Sequence, residues 1–226
     1  MVEQQGGEVN VRRPGRDEVL SRIRTATASV ALDPSKLADG YANLPRAYVN
    51  KGDLPARAKL GLLIERLREY DAEVVECSPD ELIASIRESL LQSGRRVFAA
   101  PAGLPAEWKI REVEWKVDGV LSHADIEGAE GVVTGAFCAV ADSGTIILHH
   151  SLVEGRRVLT LLPDWHLCVL YASQVVETFP EYFARIEEPP KLVTWISGPS
   201  ATADIEMTRI NGVHGPRNLK VILVQD

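Results

Sequence analysis

Two kinds of segment alternate in the first half of the chain. In one kind the apolar residues have helical spacing, and the other kind consists of shorter apolar runs typical of strands. After Pro55, apolar residues stand at positions i, i+3, i+4 and i+7, which predicts an amphipathic helix. A capping box at residues 78–81 predicts the start of another helix, and Gly94 predicts its end. The predicted elements are, in order, a helix at 16–30, irregular chain at 31–54, a helix from 55, a strand at 72–77, a helix from 78 to 94 and a strand at 97–100.

The second half is richer in strand-like apolar runs. Two of them flank Asp142-Ser143-Gly144-Thr145, which predicts a hairpin or a sharp strand connection. Further apolar runs lie at 156–162, 167–171, 192–196 and 219–224, and short helices are predicted near 105–108, 123–126 and 179–186. Because helices and strands alternate early over short connections, we expect parallel strands with right-handed crossovers. The predicted fold is α/β, with a mainly parallel mixed sheet flanked by helices that also carries hairpin strands.

The pattern also predicts how the chain is divided. Residues 1–13 are polar and are expected to form a flexible tail. Residues 14–226 are predicted to form a single α/β domain, since this length is enough to bury one sizeable core. Within it, residues 14–110 form a helix-rich front and residues 111–226 a strand-rich core that holds the polar motifs.

Composition narrows the class of protein. The net charge of -7 argues against nucleic-acid binding, which needs a basic face. No run approaches the ~20 apolar residues of a membrane span, and the start of the chain lacks the apolar core of a secretory signal. We therefore expect a cytoplasmic protein with no nucleic-acid or membrane partner.

Cysteines and histidines give no sign of a metal site. Cys77, Cys138 and Cys168 are far apart in sequence, which excludes CxxC motifs, and each lies in or beside an apolar run, which predicts a buried thiol. His149 and His150 are adjacent, so in a strand their side chains would point to opposite faces and could not share one ion. The sequence therefore predicts no metal in this chain.

Asp142-Ser143-Gly144-Thr145 is the first candidate site. As a turn, its Asp and Ser side chains would bond the local backbone, and Gly144 would supply a positive φ. As a functional element, it would place the Asp142 carboxylate at a strand end, where a carboxylate can act as nucleophile or general base. The spacing of the residues leaves both interpretations open.

The second candidate follows the apolar run at 192–196, where the sequence predicts a polar loop and then a short helix. Ser200 or Thr202 would cap that helix, and Asp204 would complement its dipole. The same arrangement could bind an anion, because backbone N–H groups point outward at a helix N-terminus. Neither a P-loop nor a GxGxxG motif is present.

Histidines in polar surroundings complete the candidates. His214 lies between Gly212 and Gly215, and is either an exposed bystander or an acid, base or ligand-binding group. His166 is expected to pack or to hydrogen-bond a loop. The absence of a Gly-x-Ser-x-Gly elbow disfavours a serine hydrolase.

With these residues in view, the chain resembles the lactate-utilization protein C family, the LUD-domain proteins. The resemblance implies the fold of the sugar-phosphate isomerase, CoA-transferase and formyltetrahydrofolate cyclo-ligase superfamily. It also implies a role in the oxidation of L-lactate to pyruvate. The motifs that carry it are Val133-Thr134-Gly135-Ala136, Ala141-Asp142-Ser143-Gly144-Thr145-Ile146, Leu161-Leu162-Pro163-Asp164-Trp165-His166, Ile196-Ser197-Gly198-Pro199-Ser200-Ala201-Thr202-Ala203-Asp204-Ile205-Glu206 and Gly212-Val213-His214-Gly215-Pro216.

The resemblance implies a composite site for a small anion or a nucleotide-like ligand. Asp142 and His214 are its candidate catalytic residues. Ala201 replaces an arginine common in the family. If that arginine contacts a carboxylate or phosphate, either anion binding is weaker in this chain or Arg209 or Arg217 supplies the charge. The candidate ligand-binding residues are Thr134, Gly135, Ser143, Gly144, Thr145, Gly198, Pro199, Ser200, Thr202, Asp204, Glu206, Gly212 and Gly215.

The resemblance further implies iron–sulfur partner proteins, which would hold the clusters, so no cofactor is expected in this chain. The Asp142 turn also looks like the Glu-x-Gly turn that bears the nucleophile of CoA-transferases. An alternative is therefore a small-molecule enzyme of CoA-transferase or cyclo-ligase type that uses Asp142 as its carboxylate catalyst. Whether the chain catalyses any reaction is left open by the sequence.

Overall fold

The structure is a computed structural model that describes residues 14–28, 33–119, 121–203, 209–211 and 215–226. The chain divides into two compact units, Met1–Tyr48 and Val49–Asp226. One domain from residue 14 to residue 226 stays a prediction, and the predicted tail at 1–13 lies outside the described residues.

The first unit contains α1 (Pro14–Thr27) and α2 (Pro34–Ala42). Helix α1 agrees with the predicted helix, whereas α2 contradicts the irregular chain predicted at 31–54. The missed signal is the pair Asp33-Pro34, since the Asp33 carboxylate accepts a hydrogen bond from the Ser35 N–H at 3.0 Å as an N-cap. A proline at the first helical position suits this start.

The second unit alternates helices and strands, then becomes strand-rich. The capping box at Ser78 is formed, with Glu81 reaching back to the Ser78 N–H at 2.9 Å. The structure confirms the strands predicted at 72–77, 97–100 and 219–224. The elements are α3 (Ala56–Glu69), β1 (Glu73–Cys77), α4 (Leu82–Gln92), β2 (Val97–Ala100), β3 (Glu114–Val117), α5 (His123–Glu127), β4 (Gly131–Thr134), β5 (Cys138–Val140), β6 (Thr145–Leu148), β7 (Trp165–Tyr171), β8 (Val175–Val176), α6 (Phe179–Ala184), β9 (Thr194–Ile196), β10 (Ala201–Ala203), β11 (Arg209–Asn211) and β12 (Asn218–Val224).

A six-stranded sheet in the order β1-β12-β7-β4-β2-β3 forms the centre of the second unit, and every pairing in it is parallel. Helix α4 packs on one face through Leu82, Ile86 and Leu90. Helix α3 packs on the other face through Leu63 and Leu67, which confirms its predicted apolar stripe. The parallel α/β architecture predicted from the sequence is therefore confirmed.

A second, mixed sheet has the order β8-β5-β6-β9, in which the β5–β6 and β6–β9 pairs are antiparallel and the β5–β8 pair is parallel. Strands β5 and β6 are the predicted hairpin, with Val140 opposite Thr145. This sheet packs against the same face as α3, since Ala139, Ile146 and Leu148 share a core with residues of β7 and β12. The second unit thus has three layers: α4, the six-stranded sheet, and a layer that contains both α3 and the four-stranded sheet.

Further local predictions differ from the structure. The strand-like apolar run at 156–162 contains the 3₁₀ helix Arg157–Thr160. Where a short helix was predicted to begin after residue 200, residues Ala201–Ala203 instead form strand β10, which pairs antiparallel with β11; residues 204–208 of that prediction lie outside the described residues. Strand β3 was missed because it is short and contains Glu114 and Lys116. It lies at the sheet edge, where charged residues are common. None of the helices in the described part of the chain is long and apolar enough to cross a bilayer.

Candidate functional site

A pocket of about 240 Å³ lies between strand β9 and the segments that lead into β7 and β12. We call it the β9 pocket. Polar or charged side chains among its described lining residues include those of Arg157, Thr160, His166, Thr194, Ser197 and Ser200. Its volume is below the ~300–1,000 Å³ typical of sites for drug-sized ligands, so a small molecule suits it.

Backbone hydrogen bonds hold the two glycine-containing loops together at this pocket. The Gly215 N–H donates to the Leu161 carbonyl at 3.0 Å, and the Ser200 N–H donates to the Pro216 carbonyl at 2.8 Å. Gly198 and Gly215 have φ of +83° and +87°, a conformation that glycine adopts at no steric cost. The structure therefore brings the Gly198-Pro199-Ser200 loop and the Gly215-Pro216 loop together, although their motifs are separated in sequence.

Arg157 gives the pocket its charge. No Asp or Glu is among the described lining residues, and the exposed Arg157 side chain forms no ion pair with any residue that the structure describes. Arg217 is instead paired with Asp164, which also accepts a hydrogen bond from Arg95 at 3.4 Å. An unpaired guanidinium is suited to bind a carboxylate or phosphate through two parallel hydrogen bonds.

His166 lies in β7 and lines the pocket although only 1% of its surface is exposed. Its Nε2 is 2.8 Å from the hydroxyl of Thr134, which is itself fully buried at the end of β4. Burial lowers the pKa of His166 to about 4, so the ring is neutral at physiological pH. The interpretation that His166 packs and hydrogen-bonds is confirmed, and its place in the pocket was not predicted.

A chain of hydroxyl groups links the Asp142-Ser143-Gly144-Thr145 turn to the pocket. The Thr145 hydroxyl is 2.8 Å from that of Ser143 and 2.8 Å from that of Ser197. Thr145 is 3% exposed, so the chain runs from the hairpin through the protein interior to the pocket wall. The two candidate motifs are therefore neighbours, joined by Thr145 and Ser197.

We expect Thr145→Val to lower the free energy of unfolding by about 1 kcal/mol, because it removes both of these hydrogen bonds while keeping the shape of the side chain. Urea denaturation measures the change, and a double-mutant cycle with Ser197→Ala isolates the Thr145–Ser197 coupling. A coupling energy of zero between the two variants would contradict a linked hydroxyl chain.

Asp142 lies on the other side of the hairpin tip and is not among the described pocket residues. Its side chain is exposed, and its N–H donates to the Glu177 carbonyl at 3.0 Å. The pKa of Arg66 in α3 is raised chiefly by Glu69 and to a smaller extent by Asp142, which places Asp142 near α3. Gly144 beside it has no room for a side chain, since a Cβ would lie 2.7 Å from the Arg66 Cβ.

The remaining predicted residues divide into two groups. Gly135 is described: its N–H donates to the Val153 carbonyl at 3.2 Å, and it is not among the described lining residues of the pocket. Asp204, Glu206, Gly212 and His214 lie outside the described residues, and for Thr202 only its backbone in β10 is described. The catalytic role of His214 and the ligand-binding roles of these positions stay predictions.

Sequence reasoning missed Arg157 and Trp195. Trp195 lines the pocket, is 53% exposed, and its ring lies 5.1 Å from that of Phe179. Nothing in the local sequence distinguishes Arg157 from other surface arginines. For Trp195 the available signal in the sequence was a tryptophan just before a polar loop, because large aromatic side chains near a surface often belong to a binding site.

The histidine pair and the cysteines have separate surroundings. His149 Nε2 lies 2.9 Å from the Tyr182 hydroxyl, whereas His150 Nε2 lies 2.8 Å from the Thr194 hydroxyl. All three cysteines are buried, as predicted, and burial raises the pKa of Cys168 to about 12. Among the residues that the structure covers, no group of three or more His, Cys, Asp or Glu side chains is arranged to hold a metal ion.

Together, the parallel sheet, the second small sheet and the arginine-containing pocket define an α/β protein with a small polar pocket beside its main sheet. The sequence profile of the LUD domain matches residues 60–224, so this chain belongs to the LUD domain family.

Relatives of known name and structure agree with this assignment. The lactate utilization protein C of Deinococcus radiodurans is 42% identical over 165 residues, which cover 71% of this chain and 76% of that protein. The protein of the same name from Bacillus licheniformis is 26% identical over 93% of this chain and 96% of its own. A crystal structure described as a DUF162 family protein from Deinococcus radiodurans is 35% identical, with a TM-score of 0.62, over 76% of this chain and 99% of that one. These names support a role in lactate utilization.

Proposed function

We propose that this protein is an accessory component of L-lactate utilization, the oxidation of L-lactate to pyruvate, and that the β9 pocket binds a small carboxylate. The names of its relatives support the pathway. The observation that carries the ligand class is the pocket lining, in which Arg157 faces no carboxylate from any described lining residue. A carboxylate ligand would supply the missing negative charge.

The size and polarity of the pocket support a ligand smaller than a nucleotide. About 240 Å³ corresponds to roughly eight water molecules at the density of the liquid. Arg157 can hold a carboxylate through its fork of N–H donors, while the hydroxyl groups of Ser197 and Ser200 can both donate and accept hydrogen bonds. The residues of the pocket thus bind and orient an organic acid of a few carbon atoms.

Iron–sulfur proteins are the proposed partners, and the clusters would belong to them. The motivation is the family resemblance together with the cysteines of this chain, which are buried and lie apart in sequence. Thiolates are the usual ligands of such clusters. Burial raises the pKa of Cys138 to about 11, so at neutral pH its side chain is a thiol and not the thiolate that binds a cluster.

The alternative, an enzyme of CoA-transferase or cyclo-ligase type with Asp142 as its catalyst, stays a prediction. Asp142 is exposed at the hairpin tip and is separated from the described pocket lining. The residues described around the β9 pocket support binding more than covalent chemistry, and for this reason the accessory role is the one we propose.

In purified protein we expect Arg157→Gln to weaken the binding of L-lactate and pyruvate by about tenfold or more, because it removes a charged hydrogen-bond donor of the carboxylate. Isothermal titration calorimetry measures both dissociation constants. The matched control is Arg111→Gln, which removes an exposed arginine outside the pocket lining and is expected to bind like the unmodified chain.

The same variants test the function in cells. A strain that lacks this gene is expected to lose growth on L-lactate, and the unmodified chain and Arg111→Gln are expected to restore it better than Arg157→Gln. Purification of the chain from lactate-grown cells is expected to recover iron–sulfur proteins. Normal growth of the deletion strain on lactate, with no iron–sulfur protein recovered, would contradict the proposal.

A further inference from the structure

His166 is a buried polar side chain that lines the β9 pocket, and only one of its two ring nitrogens has a hydrogen-bond partner among the residues that the structure describes. Nε2 pairs with the Thr134 hydroxyl at 2.8 Å. Among the hydrogen bonds of the described residues, none involves Nδ1. The strand neighbours opposite His166 are Val132 and Leu219, whose side chains are apolar. Nδ1 is therefore the ring nitrogen left for a ligand.

The surroundings of Thr134 decide which nitrogen has the proton. Thr134 is fully buried, and a buried hydroxyl needs an acceptor for its proton. Two groups are beside it, Nε2 of His166 and the thiol of Cys168. Sulfur is a weak acceptor, whereas an unprotonated imidazole nitrogen is a good one. Since Nε2 is the better acceptor, we infer that the Thr134 hydroxyl donates to Nε2, which places the single ring proton of the neutral His166 on Nδ1.

This tautomer has a chemical consequence for the pocket. A neutral imidazole with its proton on Nδ1 presents an N–H donor, which requires an acceptor atom from the ligand. Arg157 also presents only donors. When the fork of N–H donors of Arg157 takes both carboxylate oxygens, the Nδ1–H of His166 is left for a further oxygen of the ligand. A methyl or ammonium group in place of that oxygen would leave the buried N–H without a partner.

We propose that His166 is the specificity-determining residue of the β9 pocket and that Thr134 positions its proton, so that the pocket selects carboxylates with an oxygen at carbon 2. This inference rests on the proposed function, since it requires the pocket to bind a small carboxylate. Pyruvate and L-lactate have the required oxygen. Propionate has only hydrogen at carbon 2, and L-alanine has an ammonium group there, which cannot accept a hydrogen bond.

Calorimetry with these four acids tests the proposal. The unmodified protein is expected to bind pyruvate and L-lactate about tenfold more tightly than propionate, and L-alanine more weakly still, because the Nδ1–H loses its acceptor. In His166→Phe we expect this preference over propionate to fall to about twofold or less, with propionate affinity retained. Thr134→Val leaves the imidazole in place and frees Nε2, so it is expected to reduce the preference partly. A preference that is unchanged in both variants would overturn the role of His166.

A second measurement works even where a variant does not fold. Nitrogen-15 NMR of the unmodified protein distinguishes the protonated from the unprotonated ring nitrogen. We expect the His166 signals to show a proton on Nδ1, and a proton on Nε2 would overturn the inference. Equal binding of all four acids contradicts this inference alone, whereas failure of every acid to bind also removes the proposed carboxylate site.

Discussion

The free energy of unfolding is expected to fall by about 3 kcal/mol between pH 6.5 and pH 4 because of one side chain, the buried imidazole of His166. Burial lowers its pKa from 6.5 in the unfolded chain to about 4 in the folded protein. Above pH 6.5 the ring is neutral in both states, and its contribution to stability is fully present. Between the two values only the unfolded chain binds a proton, so acidification favours unfolding until the folded protein is also protonated.

The comparison of variants isolates this contribution from that of the carboxylates. Urea denaturation as a function of pH is expected to give a flatter curve for His166→Gln than for the unmodified protein between pH 6.5 and pH 4. The control is His123→Gln, which removes an exposed histidine and should keep the original slope. An NMR titration in which His166 gains its proton near pH 6.5 would contradict the prediction.

Arg156→Met is expected to lower the free energy of unfolding by about 2 to 3 kcal/mol. The Asp118 side chain is 7% exposed, and it accepts two hydrogen bonds from Arg156, from Nε at 2.8 Å and from Nη2 at 2.6 Å. Removing one partner of a buried pair leaves an uncompensated charge, which costs about 3 to 5 kcal/mol when both partners are buried. Arg156 is half exposed, so water reaches the site and the expected loss is smaller.

Two further variants make this prediction specific. Asp118→Asn combined with Arg156→Met removes the charge as well as its partner, and is expected to recover more than half of the lost stability. Arg87→Met breaks the exposed pair with Glu112 and is expected to cost less than about 1 kcal/mol. Equal losses from Arg156→Met and Arg87→Met would show that the burial of Asp118 has no effect.

The Arg156–Asp118 ion pair also helps to position one wall of the β9 pocket. Arg156 immediately precedes the 3₁₀ helix Arg157–Thr160, which supplies Arg157 and Thr160 to the pocket wall. Its Nη2 donates in addition to the Leu121 carbonyl at 2.9 Å. Arg156 thus ties the start of this short helix to the segment after β3, and the Arg156→Met variant is expected to bind L-lactate more weakly than the unmodified chain.

Elements with strong local signals could be predicted from the sequence. The apolar stripe of α3, the capping box at Ser78 and the Asp142 hairpin each depend on residues within a few positions of one another. Helix α2 was missed because the Asp33-Pro34 signal was interpreted as a loop. Strand β10 was missed because its hydrogen-bond partner, β11, lies beyond a polar segment that resembled a helix start.

The pocket could not be predicted from residues that are close together in sequence. Its wall combines residues from 157 to 219, which become neighbours through the parallel pairing of β7 with β12 and the Gly215–Leu161 hydrogen bond. Arg157 had no motif around it, and His166 was expected to pack or to hydrogen-bond a loop, not to line a pocket. The sequence does not show whether Arg157 has an ion-pair partner, because this depends on which carboxylates lie near it in space. The tautomer inferred for His166 likewise depends on the Thr134 hydroxyl beside its ring.

The sequence by itself determined the α/β class, the order of most elements, the family and the two polar loops near the site. These features depend on periodicity, on turn chemistry and on short motifs, all of which are read along the chain. The tertiary structure alone decided that Asp142 is not among the described lining residues of the β9 pocket, that Arg217 is neutralised by Asp164, and that Arg157 and His166 line the pocket. The physical reason is that charge pairing, burial and the fit of a pocket depend on distances between residues that sequence separation does not give.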